Sequence, residues 1–173
     1  PCPMDEPAEQ CAPFRAVVAS AIAVEAVRAT VEGVYPGSRE ELAALLTVTA
    51  YRESGLRRRI ARGECRDGKR HGARGECDQV WSADGTHRHL ALGLFQVHDT
   101  PLLERGEWRA MRGDDAEHVG RQVRVASRLL ARGRKACGTV HGAMSQYGGA
   151  RGCGWPGVGR RAREQRELQK QLS

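Results

Sequence analysis

The chain has 173 residues, of which 40% are hydrophobic and 28% charged, and it carries a formal net charge of +7. That length suits one domain with a sizeable core, and no apolar run approaches the length of a membrane span. The chain opens on Pro1 and Cys2 with no basic-then-apolar leader, so an exported form is expected to have lost its signal already.

The positive charge comes from arginine, since Lys69, Lys135 and Lys170 are the only lysines. Guanidinium groups favour planar anions such as carboxylate and phosphate. A genome rich in G and C would also raise Arg, Ala and Gly together. A basic exported protein suits an anionic polymer, either bacterial wall or nucleic acid, and charge does not separate the two. Cys2, Cys11, Cys65, Cys77, Cys137 and Cys153 form an even set without a C-x-x-C pair, which favours disulfides and an oxidising compartment over zinc or redox chemistry. Pairing of neighbours (2–11, 65–77, 137–153) is the simplest of many connectivities.

Residues 1–12 read as an irregular tethered arm. The Ala/Val-rich stretch from Phe14 to about Glu32 predicts a helix stopped by Gly33 and Pro36-Gly37. A second helix is predicted over about 39–53, with Ser38 as N-cap, Glu41 completing a capping-box pattern, and Ser54-Gly55 as the stop. Residues 62–90, rich in Gly, His and charge, read as a long loop stapled by Cys65 and Cys77; loops of that length are usually functional or constrained. ALGLFQV (91–97) is a short strand or tight turn. Asp114 or Asp115 caps a helix with an inward stripe of Ala116, Val119, Val123, Ala126 and Leu130, and Arg121, Arg124, Arg128 and Arg132 lie mostly off it. Val140, Ala143, Met144 and Tyr147 mark a short helix ending at Gly148-Gly149. Residues 159–172 form a charged helix with Leu168 and Leu172 as a weak docking edge. The expected fold is mainly α, with at most a small sheet near 78–97. We divide it into an N-terminal arm and helix (1–37), a core (38–157) and a charged C-terminal helix (158–173), all within one structural domain.

One residue breaks the pattern of the second helix. Leu42, Leu45, Leu46 and Thr49 recur at helical spacing, and Glu53 falls about 20° from Leu42 and Leu46 around the axis. A carboxylate on that face either pairs with an arginine, Arg57 and Arg52 being near in sequence, or sits with a raised pKa as a catalytic acid.

Two further motifs bear on this choice. ESG at 53–55, GLFQV at 93–97 and AMSQYGG at 143–149 occur in that order, and together they resemble the lysozyme-like superfamily of soluble lytic transglycosylases and goose-type lysozymes. That family has a helix ending in Glu-Ser, then Gly-Leu-Met-Gln, then a helix with Ala-x-x-Tyr-Asn-x-Gly. The resemblance spans roughly residues 38–150. It implies a lysozyme-like fold with Glu53 as the catalytic acid and Ser54 orienting sugar or glutamate. Gly93, Leu94 and Gln96 would hold substrate, with Phe95 in place of Met, and Tyr147 would hydrogen-bond near the acid. Gly148 stands where the family usually has Asn, and the 65–77 segment looks like an insertion.

Glycosidic cleavage needs a protonated acid at the leaving oxygen, then a second carboxylate or help from the substrate. By the resemblance, transglycosylases use one carboxylate, which next acts as base while the sugar's own 6-hydroxyl attacks. A hydrolase would need another, for which Asp84 and Asp99 are candidates and Asp78 a third; each is also an ordinary turn residue. His98 occupies the position directly after Val97, displacing Asp99 by one.

His71, His87 and His89 with Cys65 and Cys77 match no usual zinc spacing, so neither metal nor cofactor is expected. The expected partner is the glycan strand of peptidoglycan, met by a secreted or periplasmic monomer. A goose-type muramidase is the alternative, and a non-catalytic basic module for wall polymer or nucleic acid is the rival of another class. Chitin oligomers are a further substrate candidate.

Overall fold

The computed structural model describes residues 6–64, 79–81, 87–150 and 152–173. Among these residues six α-helices and two antiparallel strand pairs follow in the order α1 (Ala8–Val31), α2 (Arg39–Ser54), α3 (Arg58–Ala61), β1 (Gln79–Trp81), β2 (His87–His89), β3 (Ala91–Leu92), β4 (Val97–His98), α4 (Ala116–Cys137), α5 (Val140–Tyr147) and α6 (Gly159–Leu172). The chain is mainly helical, and among the described residues the strands form short hairpins. β1 pairs with β2 in the register Val80–Arg88, and β3 with β4 in the register Leu92–Val97.

Local chemistry sets both ends of α2 and α4 and the start of α5. The Ser38 hydroxyl accepts from the Glu41 amide at 3.1 Å, and Gly55 closes α2 in the left-handed region at φ 63°. Asp115 caps α4 by accepting from the His118 amide at 3.0 Å, and Thr139 caps α5 through the Gly142 amide at 3.0 Å. The N-terminus differs from the irregular arm read in the sequence: α1 already begins at Ala8 and runs through Pro13. Proline interrupts a helix by removing one N–H and crowding the preceding turn. Here Cys11 and Phe14, both buried, hold the turns on either side of it against the molecule.

α4 is the central element. α1 and α5 pack on it, α2 packs against α1 and α6, and α5 touches α6. The predicted stripe is buried at Val119, Val123, Ala126 and Leu130, but Ala116 is exposed in the first turn. Gln122, Val125, Ser127 and Ala131 are buried too, because α4 has neighbours on several sides. Phe14, Val18, Ile22 and Ala26 of α1, Leu42, Leu45 and Leu46 of α2, and Ala162 of α6 join the same core. Burying each of the large ones contributes about 1.5–3 kcal/mol. On α6 the docking edge is Ala162, Gln165 and Leu168, whereas Leu172 is exposed. Gly133 lets α5 approach closely, since a Cβ there would lie 3.0 Å from the Ala143 backbone.

Cys137 and Cys153 form a disulfide with Cα atoms 5.6 Å apart, as neighbour pairing predicts, and Cys11 is also disulfide-bonded. Cys2, Cys65 and Cys77 lie outside the described residues. None of the described helices is long and apolar enough to cross a membrane.

Candidate active site

The GLFQ segment is the turn between β3 and β4. Its amide ladder closes through Gln96 N donating to the Gly93 carbonyl at 3.1 Å, and the Gln96 side-chain amide donates to the same carbonyl at 2.8 Å. Gly93 is required twice over: its φ is +74°, and a Cβ would lie 2.7 Å from Gln122 Oε1. Gln96 itself sits at φ 45°, a conformation uncommon for a residue with a side chain.

Gln122 holds this turn from beneath. Its Oε1 accepts from the Leu94 amide at 2.8 Å, and its Nε2 donates to the carbonyls of Met111 at 2.6 Å, Gly113 at 2.9 Å and Ala61 at 3.3 Å. A fully buried amide thus ties the turn to α4, to the end of α3 and to the segment before α4. Sequence reading missed it. Its one signal was a polar residue directly before Val123 of the inward stripe.

Glu53, at the end of α2, faces a cavity of about 800 Å³. Gln96, Asp99, Tyr147 and Gly148 line the same cavity, as do Arg132, Trp155 and Arg161. Three segments distant in the chain, the end of α2, the β3–β4 turn with its exit, and the end of α5, therefore meet in one place. Glu53 is half-buried, its side chain 22% exposed, and it accepts from the guanidinium of Arg161 on α6, whose side chain is 26% exposed. The arginine partners suggested by sequence proximity are replaced by one remote in the chain. Arg52 turns to Glu164 of α6 instead, with Nε 2.8 Å from a carboxylate oxygen.

The Tyr147 hydroxyl donates to the Phe95 carbonyl at 2.6 Å, fastening α5 to the GLFQ turn. Burial, then the nearby Glu53 carboxylate, hold its phenol proton well above the ordinary tyrosine range, against the opposing effect of Arg161. Tyr147 therefore stays a neutral donor beside Glu53.

Ser54, Gly93 and Leu94 are not in the cavity wall. Ser54 is buried, its hydroxyl donating to the Ala50 carbonyl at 2.8 Å and accepting from the Leu56 amide at 3.2 Å. It shapes the end of α2. Leu94 belongs to the core, and Gly93 acts through its backbone. Asp99 is exposed at the cavity wall beside His98. Asp84 and Asp78, together with Cys65, His71 and Cys77, lie outside the described residues. Among the described residues no group of His, Cys, Asp and Glu is arranged to hold a metal ion.

Gly148, the departure from the resemblance, has a local cause. A Cβ at this position would meet Cζ3 of Trp155 at 2.7 Å, so the indole occupies the space a larger residue would need. Neither Trp155 nor Arg161 was singled out from the sequence. Both follow α5 in segments without a periodic signal that points to the cavity.

No protein-family model, curated protein or solved structure matches this chain.

Proposed function

We propose that the protein is a peptidoglycan-cleaving enzyme of the lytic transglycosylase type, with a lysozyme-like arrangement and Glu53 as its acid and base. The reaction cuts the β-1,4 bond between N-acetylmuramic acid and N-acetylglucosamine. The observation that carries this reading is the convergence of Glu53, Gln96 and Tyr147, one from each of the three motifs, on one cavity large enough for sugar rings.

In this reading the Glu53 carboxyl gives its proton to the glycosidic oxygen as the anomeric C–O bond breaks. The resulting carboxylate then takes the proton of the sugar's 6-hydroxyl as that oxygen bonds to the anomeric carbon. Arg161 occupies one carboxylate oxygen in the resting protein, so its guanidinium has to move away for the acid step. The pair is partly open to the cavity, which leaves room for that movement. Tyr147, kept neutral, and Gln96 frame the reacting bond. The disulfide between Cys137 and Cys153 fits work outside the cytosol in an oxidising compartment.

A second reading, a hydrolytic muramidase, draws on Asp99, which lines the same cavity and would position water. Loss of turbidity of purified cell walls separates either enzyme from a wall-binding module. The wild-type protein is expected to clear the suspension and Glu53→Gln to leave it turbid; no clearing by the wild-type protein would overturn the proposal.

A further inference from the structure

Trp155 is 44% exposed, yet it lies against the cavity that contains Glu53. A tryptophan placed for core packing would be buried far more completely, because its indole is the largest apolar surface a side chain offers. Its seat is built. The six-membered part of the ring passes close to two glycines: a Cβ on Gly148 would lie 2.7 Å from Cζ3, and one on Gly157 would lie 2.9 Å from Cε2 and Cζ2. The Trp155 amide donates at 3.1 Å to the hydroxyl of Ser145, a fully buried residue of α5. Two residues upstream the chain is fastened to the end of α4 by the Cys137–Cys153 disulfide, and Pro156 restricts the backbone just downstream. The ring is thus held from α4 and α5 while part of its surface remains open.

From this geometry we infer that Trp155 is a stacking platform for a pyranose ring, forming a sugar subsite in the cleft. The inference rests on the glycan reading given above and adds to it a residue that no motif supplies. A pyranose has an apolar face of axial C–H groups and a rim of hydroxyls, so it needs a flat apolar surface beside hydrogen-bonding groups. The wall around Trp155 supplies the latter through Gln96, Asp99, Thr100 and Gln146. An alkyl chain would require an apolar wall instead. A stacked nucleobase would bring phosphates along, yet Arg161 of this wall is already paired with Glu53, and the wall's carboxylates, Glu53 and Asp99, equal its arginines, Arg132 and Arg161, in number. That balance favours an uncharged ring over a polyanion.

The test uses the full chain carrying Glu53→Gln, so that the ligand is not cut, titrated calorimetrically with a tetramer of N-acetylglucosamine. Trp155→Ala should weaken binding about tenfold, the usual scale for losing one stacked ring, and Trp155→Phe should weaken it less. Gly148→Ala should weaken it as well. The backbone at Gly148, with φ −74°, accepts a side chain, but the new Cβ displaces the ring. Circular dichroism checks that each variant folds, and Trp155→Phe with Gly148→Ala keep the test decisive if Trp155→Ala does not. Undiminished affinity in Trp155→Phe, Trp155→Ala and Gly148→Ala would overturn this subsite while leaving the enzyme reading intact. Absence of glycan binding in the parent, with walls left turbid by the wild-type protein, would overturn both. Trp155-dependent binding of an oligothymidylate in place of the sugar would overturn the glycan assignment in favour of single-stranded nucleic acid.

Discussion

Arg161 of α6 donates to the Glu53 carboxylate at the end of α2, and one turn further along α6 Glu164 receives Arg52 of α2. The two ion pairs have opposite polarity and run side by side between the same helices. They fix the C-terminal helix against the element that presents the candidate acid, so Glu53 has a part in stability whatever its part in the proposed chemistry.

Substitutions separate those two roles. Glu53→Gln and Arg161→Met both remove the ion pair, whose members are each about a quarter exposed, and each should cost about 1–2 kcal/mol in urea unfolding. Only Glu53→Gln removes the proton donor. It should lower wall lysis by at least about tenfold, since general acids supply roughly 10²–10⁴, whereas Arg161→Met keeps the acid and should still cut. Equal loss of lysis in both would make Glu53 a structural residue.

Gln122 is expected to matter more for stability than any charged residue. Gln122→Leu keeps the volume but leaves the Leu94 amide and the carbonyls of Met111, Gly113 and Ala61 without this partner. Unpaired buried groups cost about 1–3 kcal/mol apiece, so denaturant unfolding should show a loss of about 3 kcal/mol or more. A loss below about 1 kcal/mol would mean that the GLFQ turn does not depend on this amide.

Much of this fold is legible in the chain because its helices carry their own punctuation. Ser38, Asp115 and Thr139 cap the helices that follow them, and Gly55 and Gly138 end α2 and α4 in the left-handed region. The placement of Glu53 is legible for the same reason: helical periodicity sets its direction before any partner is known. The identity of that partner is not, since Arg161 reaches Glu53 only once α6 has docked on α2. The local bonding of Ser54 is not legible either, because a short hydroxyl at a helix end can turn back to its own backbone, as it does to Ala50. Trp155 left no periodic trace at all. Its position depends on glycines at 148 and 157 and on a disulfide, none of which forms a local pattern.

The disulfide framework predicts its own measurement. Among the described residues no cysteine is free. With Cys65 and Cys77 paired as the even cysteine set suggests, thiol titration of the unfolded, unreduced protein should find essentially none, and two or more reactive thiols would contradict the framework. The Cys137–Cys153 bond closes a separation of 16 residues. Replacing both with serine should cost about 3 kcal/mol on the loop-entropy account, and thermal unfolding would register it.

Alkaline pH should destabilise the fold through its tyrosines. Burial first, then the hydrogen bond to Glu41, hold the Tyr35 proton above the ordinary tyrosine range, and Tyr147 is raised by burial and Glu53. Unfolded tyrosine loses its proton near about pH 10, while the folded protein keeps it. This contribution is present in full below that pH and is lost progressively as pH rises above it. Urea midpoints taken from pH 8 to 11 should fall at the upper end, less steeply in Tyr35→Phe. An identical slope in that variant would contradict the assignment.

Of the carboxylates considered, Glu53 alone is fixed both by its helix and by a motif, while Asp99 is exposed at the cavity wall. The proposed one-carboxylate route rests on that difference. Mass spectrometry of the products released from purified peptidoglycan in ¹⁸O-labelled water tests it most directly. The expected products carry 1,6-anhydromuramic ends, lighter by one water than hydrolytic products and free of label. Reducing ends carrying ¹⁸O would contradict it.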